Sequence, residues 1–183
     1  MVKETVNDSG EFWVFGYGSL MWRPGFDFIH RQPALLNGYH RAPSVYSHVH
    51  RGTSQTPGLV FGLDLGGTCH GIAYSVAPEN WSQTVEYLRA REQVTAVYLE
   101  SSQQITLNDE AERPVTALTY LVDRDHHQYA GRLSFDQQLA FINQGHGQSG
   151  KCRDYVIATA QHLEELGVED KELQALAKTL SAP

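Results

Sequence analysis

A glutamate in an unfavourable place is the first residue of this 183-residue chain that could do chemistry. Between residues 79 and 92, Trp81, Val85 and Leu88 recur at the i, i+4, i+7 spacing of a helix with one apolar face, and Glu92 takes the next position on that stripe. A carboxylate there is costly unless it is paired or protonated. The C-terminal end of the helix adds partial negative charge at the same point. Both effects disfavour the ionised form, so the spacing predicts a raised pKa and a carboxyl suited to taking and returning a proton. Arg89 and Arg91 are within reach and offer the alternative, an ordinary salt bridge.

Gly16-Tyr17-Gly18-Ser19-Leu20 follows an apolar strand and is the second candidate. Glycines let backbone N–H groups approach a ligand closely, and consecutive amides in a turn can cradle a carboxylate. The alternative is a turn that needs glycine geometry and nothing more. Two named motifs fail here. A dinucleotide fingerprint needs a third glycine where Met21 stands, and a serine nucleophile elbow needs glycine on both sides of the serine at G-x-S-x-G spacing, whereas here Leu20 follows Ser19.

Other constellations carry less. The run from Gly145 to Cys152 matches most of a phosphate-binding loop, but Cys152 replaces the magnesium-binding hydroxyl and the run follows a helix instead of a strand. His48 and His50 are spaced to share one face of a strand, and His126-His127 are adjacent, yet no cysteine or carboxylate completes a metal set. Cys152 near His146 is no spatial triad, and a structural cysteine is the simpler account. No metal or cofactor is expected.

The elements that must position these residues read as strands first and helices last, an α+β arrangement. Residues 11–17 form a strand with apolar residues on both faces, hence a central one. Residues 58–65 and 70–77 predict two strands in a tight hairpin around Gly66-Gly67, and strands follow at 94–100, 103–107 and 114–122. Ser134 and Gln137 form a capping box for a short helix with Phe135, Leu139 and Ile142 on one face. Helices at 153–166, stopped by Gly167, and at about 170–180 complete the chain. The length fits one domain at 11–183 after a loose leader at 1–10.

Composition excludes some classes. The formal net charge of −7 argues against a general nucleic-acid or anionic-membrane binder. Two cysteines make no disulfide framework, no apolar run spans a bilayer, and residues 1–10 lack an apolar signal core, which predicts a cytoplasmic protein. The absence of a large apolar face on the helices predicts a monomer or weak dimer.

Five blocks then occur in order: 13–22 with Pro24-Gly25-Phe26; Gly38 to Arg41 with Ser47, His50 to Thr53 and Pro57 to Val60; Gly71-Ile72-Ala73-Tyr74; Tyr87 to Glu92; and Ser149 to Tyr155. Together they resemble the ChaC-like family of glutathione-specific γ-glutamylcyclotransferases over about residues 11–167. The resemblance implies a small closed or half-open mixed β-barrel flanked by helices. It implies Glu92 as catalytic acid/base and residues 16–21 (Gly16, Tyr17, Gly18, Ser19, Leu20 and Met21) as the seat of a γ-glutamyl group. Many members carry Asn and Glu where this chain has Cys152 and Asp154. Many also carry paired arginines followed by an aromatic residue where this chain has Arg41-Ala42-Pro43.

The implied reaction needs no nucleophile from the protein. The α-amine of a γ-glutamyl group attacks its own γ-carbonyl, closing 5-oxoproline and releasing an amine, Cys-Gly in the case of glutathione. Arg51 is assigned to the substrate's other carboxylate, because guanidinium pairs with carboxylate bidentately, and Tyr155 to a supporting donor. Two alternatives stay open: a cyclotransferase for other γ-glutamyl amino acids or amines, and a non-catalytic binder of γ-glutamyl ligands.

Overall fold

The computed structural model describes residues 10–182. All of the expected leader except Gly10 lies outside them. The described chain divides into two compact units, one of residues 10–41 with Leu63–Asp123 and one of Ala42–Gly62 with 124–182.

The strands are β1 (Phe12–Gly16), β2 (His30–Ser47), β3 (Gly58–Val76), β4 (Tyr98–Leu107) and β5 (Pro114–Val122), and they close a barrel in the order β1-β3-β2-β4-β5. Strand β1 is central, as its two apolar faces require. It pairs antiparallel with β3, from Phe12↔Val76 to Gly16↔Ile72, and parallel with β5 at Trp13↔Ala117 and Val14↔Leu118. That one parallel ladder makes the barrel mixed. Trp13, Val14 and Phe15 are buried, and the Thr119 hydroxyl donates to the Phe15 carbonyl at 3.1 Å. The core of the first unit is continued by Leu36, Leu63, Tyr74, Ile105, Leu107 and Tyr120.

Two strand expectations need correction. Gly66-Gly67 is no tight hairpin: β3 runs unbroken for 19 residues, and the two glycines lie inside it with φ of 93° and 72°. The same positive φ that would suit a two-residue turn here serves as a local irregularity in a long strand, where the His40 ring nitrogen lies 3.0 Å from the Gly66 carbonyl. Residues 94–100 are likewise no separate strand. Residues 94–97 form the connection after α1 (Pro78–Glu92), and 98–107 form one strand.

Helix α1 starts on Pro78, where a missing N–H costs nothing. Trp81 stacks on Phe12 with ring centroids 4.7 Å apart, and Thr84 and Leu88 are buried, so the predicted stripe is the one that faces the barrel. Val85 and Trp81 are half-buried.

The second unit holds α2 (Phe135–Gln144), the two-residue strands β6 (His146–Gly147) and β7 (Gly150–Lys151), α3 (Cys152–Glu165) and α4 (Lys171–Ser181). The capping box of Ser134 and Gln137 is present in both directions. The buried face of α2 is Gln138 and Ile142, whereas Phe135 is exposed. Gly167 ends α3's turn at φ 69°, with its amide on the Glu164 carbonyl. The phosphate-loop look-alike is the small β6–β7 hairpin ahead of α3. Among the described residues, no helix is long and apolar enough to cross a membrane.

Candidate active site

Strand β1 ends at Gly16, and the chain turns at once into one turn of 3₁₀ helix, Ser19–Met21. A Cβ on Gly16 would fall 2.7 Å from the Leu20 Cβ, so only glycine lets the chain fold back this tightly. The carbonyls of this turn are held by long-range donors. Arg41 Nε donates to the Tyr17 carbonyl at 2.7 Å, and its Nη2 donates to the His70 carbonyl at 2.5 Å. Tyr74 Oη lies 2.8 Å from both the Leu20 and Met21 carbonyls, sharing its one hydrogen between them. Burial pushes the Tyr74 phenol up to about 12, with Arg31 opposing it, so this donor stays protonated. The Tyr17 hydroxyl donates to the Tyr120 carbonyl at 3.0 Å, pinning the turn to β5.

Tyr74→Phe therefore leaves two buried carbonyls without their donor, at a cost of about 1–3 kcal/mol. The expected result is a melting temperature lower by roughly 2–4 °C per kcal/mol, read by scanning calorimetry. An unchanged melting temperature would show that the turn does not depend on this hydroxyl.

Glu92 is the last residue of α1, and its side chain is 19% accessible. Its pKa is raised above the ordinary value, by burial, while the adjacent Arg91 pulls the other way. The Arg91 Nε lies 3.2 Å from Glu92 Oε1, and Arg91 Nη2 donates to the Ser19 hydroxyl at 2.8 Å. One guanidinium thus bridges the glycine turn and the carboxyl. Behind it, Tyr120 is raised well above the ordinary tyrosine value by burial and by the charges of Glu100 and Glu92. Glu100 in turn is lowered, chiefly by its paired hydrogen bonds from Arg89 at 2.7 Å. The two carboxyls of this region are therefore pushed in opposite directions. Glu100 is the fixed anion, and Glu92 is the carboxyl whose neutral form burial favours.

Residues 16–21 and Glu92 are thus brought together in the first unit. Arg51 and Tyr155 are brought together in the second, the guanidinium 5.3 Å from the ring centroid. Arg51 Nη1 donates to the carbonyls of Ser149 at 2.5 Å and Lys151 at 3.3 Å. Tyr155 also packs on Phe61, centroids 5.5 Å apart. Cys152 is buried. Its thiol donates to the Leu59 carbonyl at 2.9 Å and lies 3.3 Å from the Leu59 amide. Burial pushes this thiol up to about 11, away from nucleophilic chemistry.

His48 and His50 do not share a strand face, since β2 ends at Ser47. His50 Nδ1 lies 3.1 Å from the Ser149 hydroxyl, and His48 lies beside His127 with ring centroids 6.1 Å apart. Among the described residues, no group of three or more His, Cys, Asp or Glu is placed to hold a metal ion. Sequence reasoning weighed Arg91 only as a salt-bridge partner, and gave Tyr120 and Arg41 no role beside the turn. Only the three-way contact shows that Arg91 serves the turn as well.

The profile of the family described as ChaC-like protein matches residues 12–182. A glutathione-specific γ-glutamylcyclotransferase of Escherichia coli K12 is 34% identical over 169 residues, which are 92% of this chain and 72% of that protein. A human glutathione-specific γ-glutamylcyclotransferase 1 is 31% identical over 175 residues, 92% of this chain and 78% of that protein. A crystal structure of a glutathione-specific γ-glutamyl cyclotransferase from yeast matches with a TM-score of 0.85 at 24% identity, covering 93% of this chain and 95% of the other, a likeness of fold.

Proposed function

Because the chain belongs to the ChaC-like protein family, we propose that it cleaves glutathione by cyclising the γ-glutamyl group, with Glu92 as acid/base. The observation that carries this reading is a mostly buried carboxyl of raised pKa, linked through Arg91 to a glycine turn whose carbonyls are held by other donors.

The chemistry follows from the substrate. The glutamyl α-amine attacks the γ-carbonyl carbon, forming the ring C–N bond, and the bond to the cysteinyl nitrogen breaks. Well-oriented intramolecular attack reaches effective molarities of about 10⁵–10⁸ M, so the protein's task is to hold the chain curled and to move protons. Glu92 takes a proton from the amine and returns it to the leaving nitrogen. An ordinary glutamate is a weak base for an amine of pKa about 8, and each unit of increase narrows the gap by about 1.4 kcal/mol. The amides of Ser19 and Leu20, the first donors of a 3₁₀ turn with no side-chain cap, would receive the α-carboxylate or the developing oxyanion, while the Met21 amide is held by the Gly18 carbonyl. Ser19 has no nucleophilic role in this scheme, its hydroxyl being occupied by Arg91. Arg51 and Tyr155 are proposed for the substrate's second carboxylate. The reading takes residues 11–183 as one functional domain, a monomer or weak dimer acting in the cytoplasm without cofactor, nucleic acid or membrane.

Incubation with glutathione, with 5-oxoproline and Cys-Gly quantified by mass spectrometry, tests it directly. A simple γ-glutamyl dipeptide run in parallel is expected to have a kcat/KM at least about tenfold lower. Equal rates would make the protein a general γ-glutamyl cyclotransferase. No 5-oxoproline from either, with binding retained, would make it a binder.

A further inference from the structure

A planar guanidinium presents five donors in a fixed fork, which an ammonium cannot reproduce. Every nitrogen of the Arg91 fork is engaged. Nη1, with two hydrogens, donates to the Arg23 carbonyl at 2.6 Å and the Tyr87 hydroxyl at 2.9 Å, and lies 3.3 Å from the Pro24 carbonyl. Nη2 holds the Ser19 hydroxyl at 2.8 Å, and Nε lies against Glu92 at 3.2 Å. These partners lie on three stretches of chain: the glycine turn, the segment that follows it, and α1 itself. From this geometry we infer that Arg91 is a positioning residue, whose fork sets the separation and orientation of the Ser19 turn relative to the Glu92 carboxylate. The inference rests on the reading of Glu92 as acid/base.

The surroundings are built for this contact. Gly25 has φ 76°, and a Cβ there would overlap the Tyr87 hydroxyl at 2.0 Å, so glycine is what lets Tyr87 stand behind Arg91. Phe26 packs edge-on against both Tyr74 and Tyr87, at centroid distances of 5.6 and 6.5 Å, which fixes the segment that Arg91 grips. The other charged or titratable groups around Glu92 are Tyr120 from β5, the Arg89–Glu100 pair and, next to Arg91, Tyr74 from β3. Arg89 is taken up by Glu100, which also accepts from the Tyr120 hydroxyl at 3.4 Å, and Arg91 is the cation whose charge lowers Glu92.

Geometry and charge can be separated by experiment. Arg91→Lys keeps the charge and loses the fork, and Arg91→Gln loses both. Each is expected to lower kcat for glutathione about 10–10²-fold with KM changed less than about threefold, as misplacement of a reacting group does. In Arg91→Gln the acid limb of the pH–kcat profile moves to higher pH, because a charge that lowers Glu92 is gone. In Arg91→Lys the limb stays near its wild-type place while kcat remains low. Ser19→Ala combined with Arg91→Gln is expected to cost little more than Arg91→Gln alone, because one contact is removed twice. The Glu92 carboxyl is followed independently by ¹³C NMR, with the Glu92→Gln protein identifying its resonance. Arg91→Lys with wild-type kcat, or additive losses in the double variant, overturns the inference. If the wild-type protein makes no 5-oxoproline while the Glu92 titration still moves upward in Arg91→Gln, the substrate reading falls and the contact stands. If Arg91→Gln does not fold, Arg91→Lys and Ser19→Ala carry the same decision.

Discussion

Glu92→Gln is expected to lower 5-oxoproline release from glutathione by about 10³-fold, the scale of a lost general acid/base, while leaving the protein folded. The amide keeps the shape of the side chain at the end of α1 and can still contact Arg91, so the turn and the barrel should be undisturbed. Binding is expected to persist: the variant should retain glutathione affinity by calorimetry while turnover disappears. Near-normal turnover would remove Glu92 from the mechanism. The pH profile gives the same test in the wild-type enzyme. Burial holds the Glu92 pKa above the ordinary glutamate value of 4.5, so the acid limb of kcat is expected above that value, where Glu92 becomes ionised and able to accept the amine proton.

Stability should move in the opposite sense to activity. A carboxyl whose folded pKa exceeds its unfolded value binds more protons in the folded state between those two values. Its contribution is therefore present at low pH, falls as pH rises from about 4.5 through the folded pKa, and is lost above it. Once ionised, the mostly buried Glu92 is a burden that glutamine does not carry. Arg91 loses one partner in the variant and keeps Ser19, Arg23, Pro24 and Tyr87. Glu92→Gln is thus expected to melt no lower than wild type at pH 7. A clearly lower melting temperature would mean that the Arg91–Glu92 pair is mainly structural.

This trade explains why Glu92 was legible in the chain itself. Helical periodicity carries over only four or seven residues, and one charged residue on the stripe of Trp81, Val85 and Leu88 breaks it visibly. The barrel-facing side of α1 follows the same period, with Thr84 and Leu88 buried. The contacts that make a site around Glu92 have no such signature. Ser19 meets Arg91 across 72 positions, and Tyr17 meets Tyr120 across 103. The ordered family blocks carried Tyr74 and Arg91 along without assigning them work. The glycine pair at 66–67 misled for a related reason: a positive φ marks a local backbone need, and a hairpin and an interrupted long strand share it. Gln138 and Thr159 were also hidden, being polar residues buried on helix faces where pattern expects apolar ones. The glycine turn was legible as a turn, and the role proposed for it came from the ordered family blocks around it; the donors that hold its carbonyls had no signature in the chain.

Gly71→Ala is expected to be a damaging single-methyl change in the first unit. Gly71 precedes Ile72, which pairs with Gly16 at the end of β1. A Cβ at 71 would lie 2.4 Å from the Gly16 carbonyl oxygen and 2.7 Å from the Phe15 ring. The Phe15 ring is fixed in the core, and the carbonyl is backbone, so neither gives way cheaply. Overpacking of this kind costs about 1–3 kcal/mol. Relief requires β1 to shift at Gly16, the residue from which the turn at 17–21 departs, so the displacement passes directly into the seat proposed for the γ-glutamyl group. The expected result is a lower melting temperature together with a kcat/KM for glutathione reduced about 10²-fold. Gly66→Ala separates the two effects. Its φ of 93° strains any side chain, yet nothing lies within 4 Å of its Cβ. That variant should lose about 1 kcal/mol of stability and keep its turnover. If Gly71→Ala keeps wild-type kcat/KM at a temperature where it is folded, the turn is not held in place by its contact with β3, and the donors from Arg41, Tyr74 and Arg91 must suffice alone.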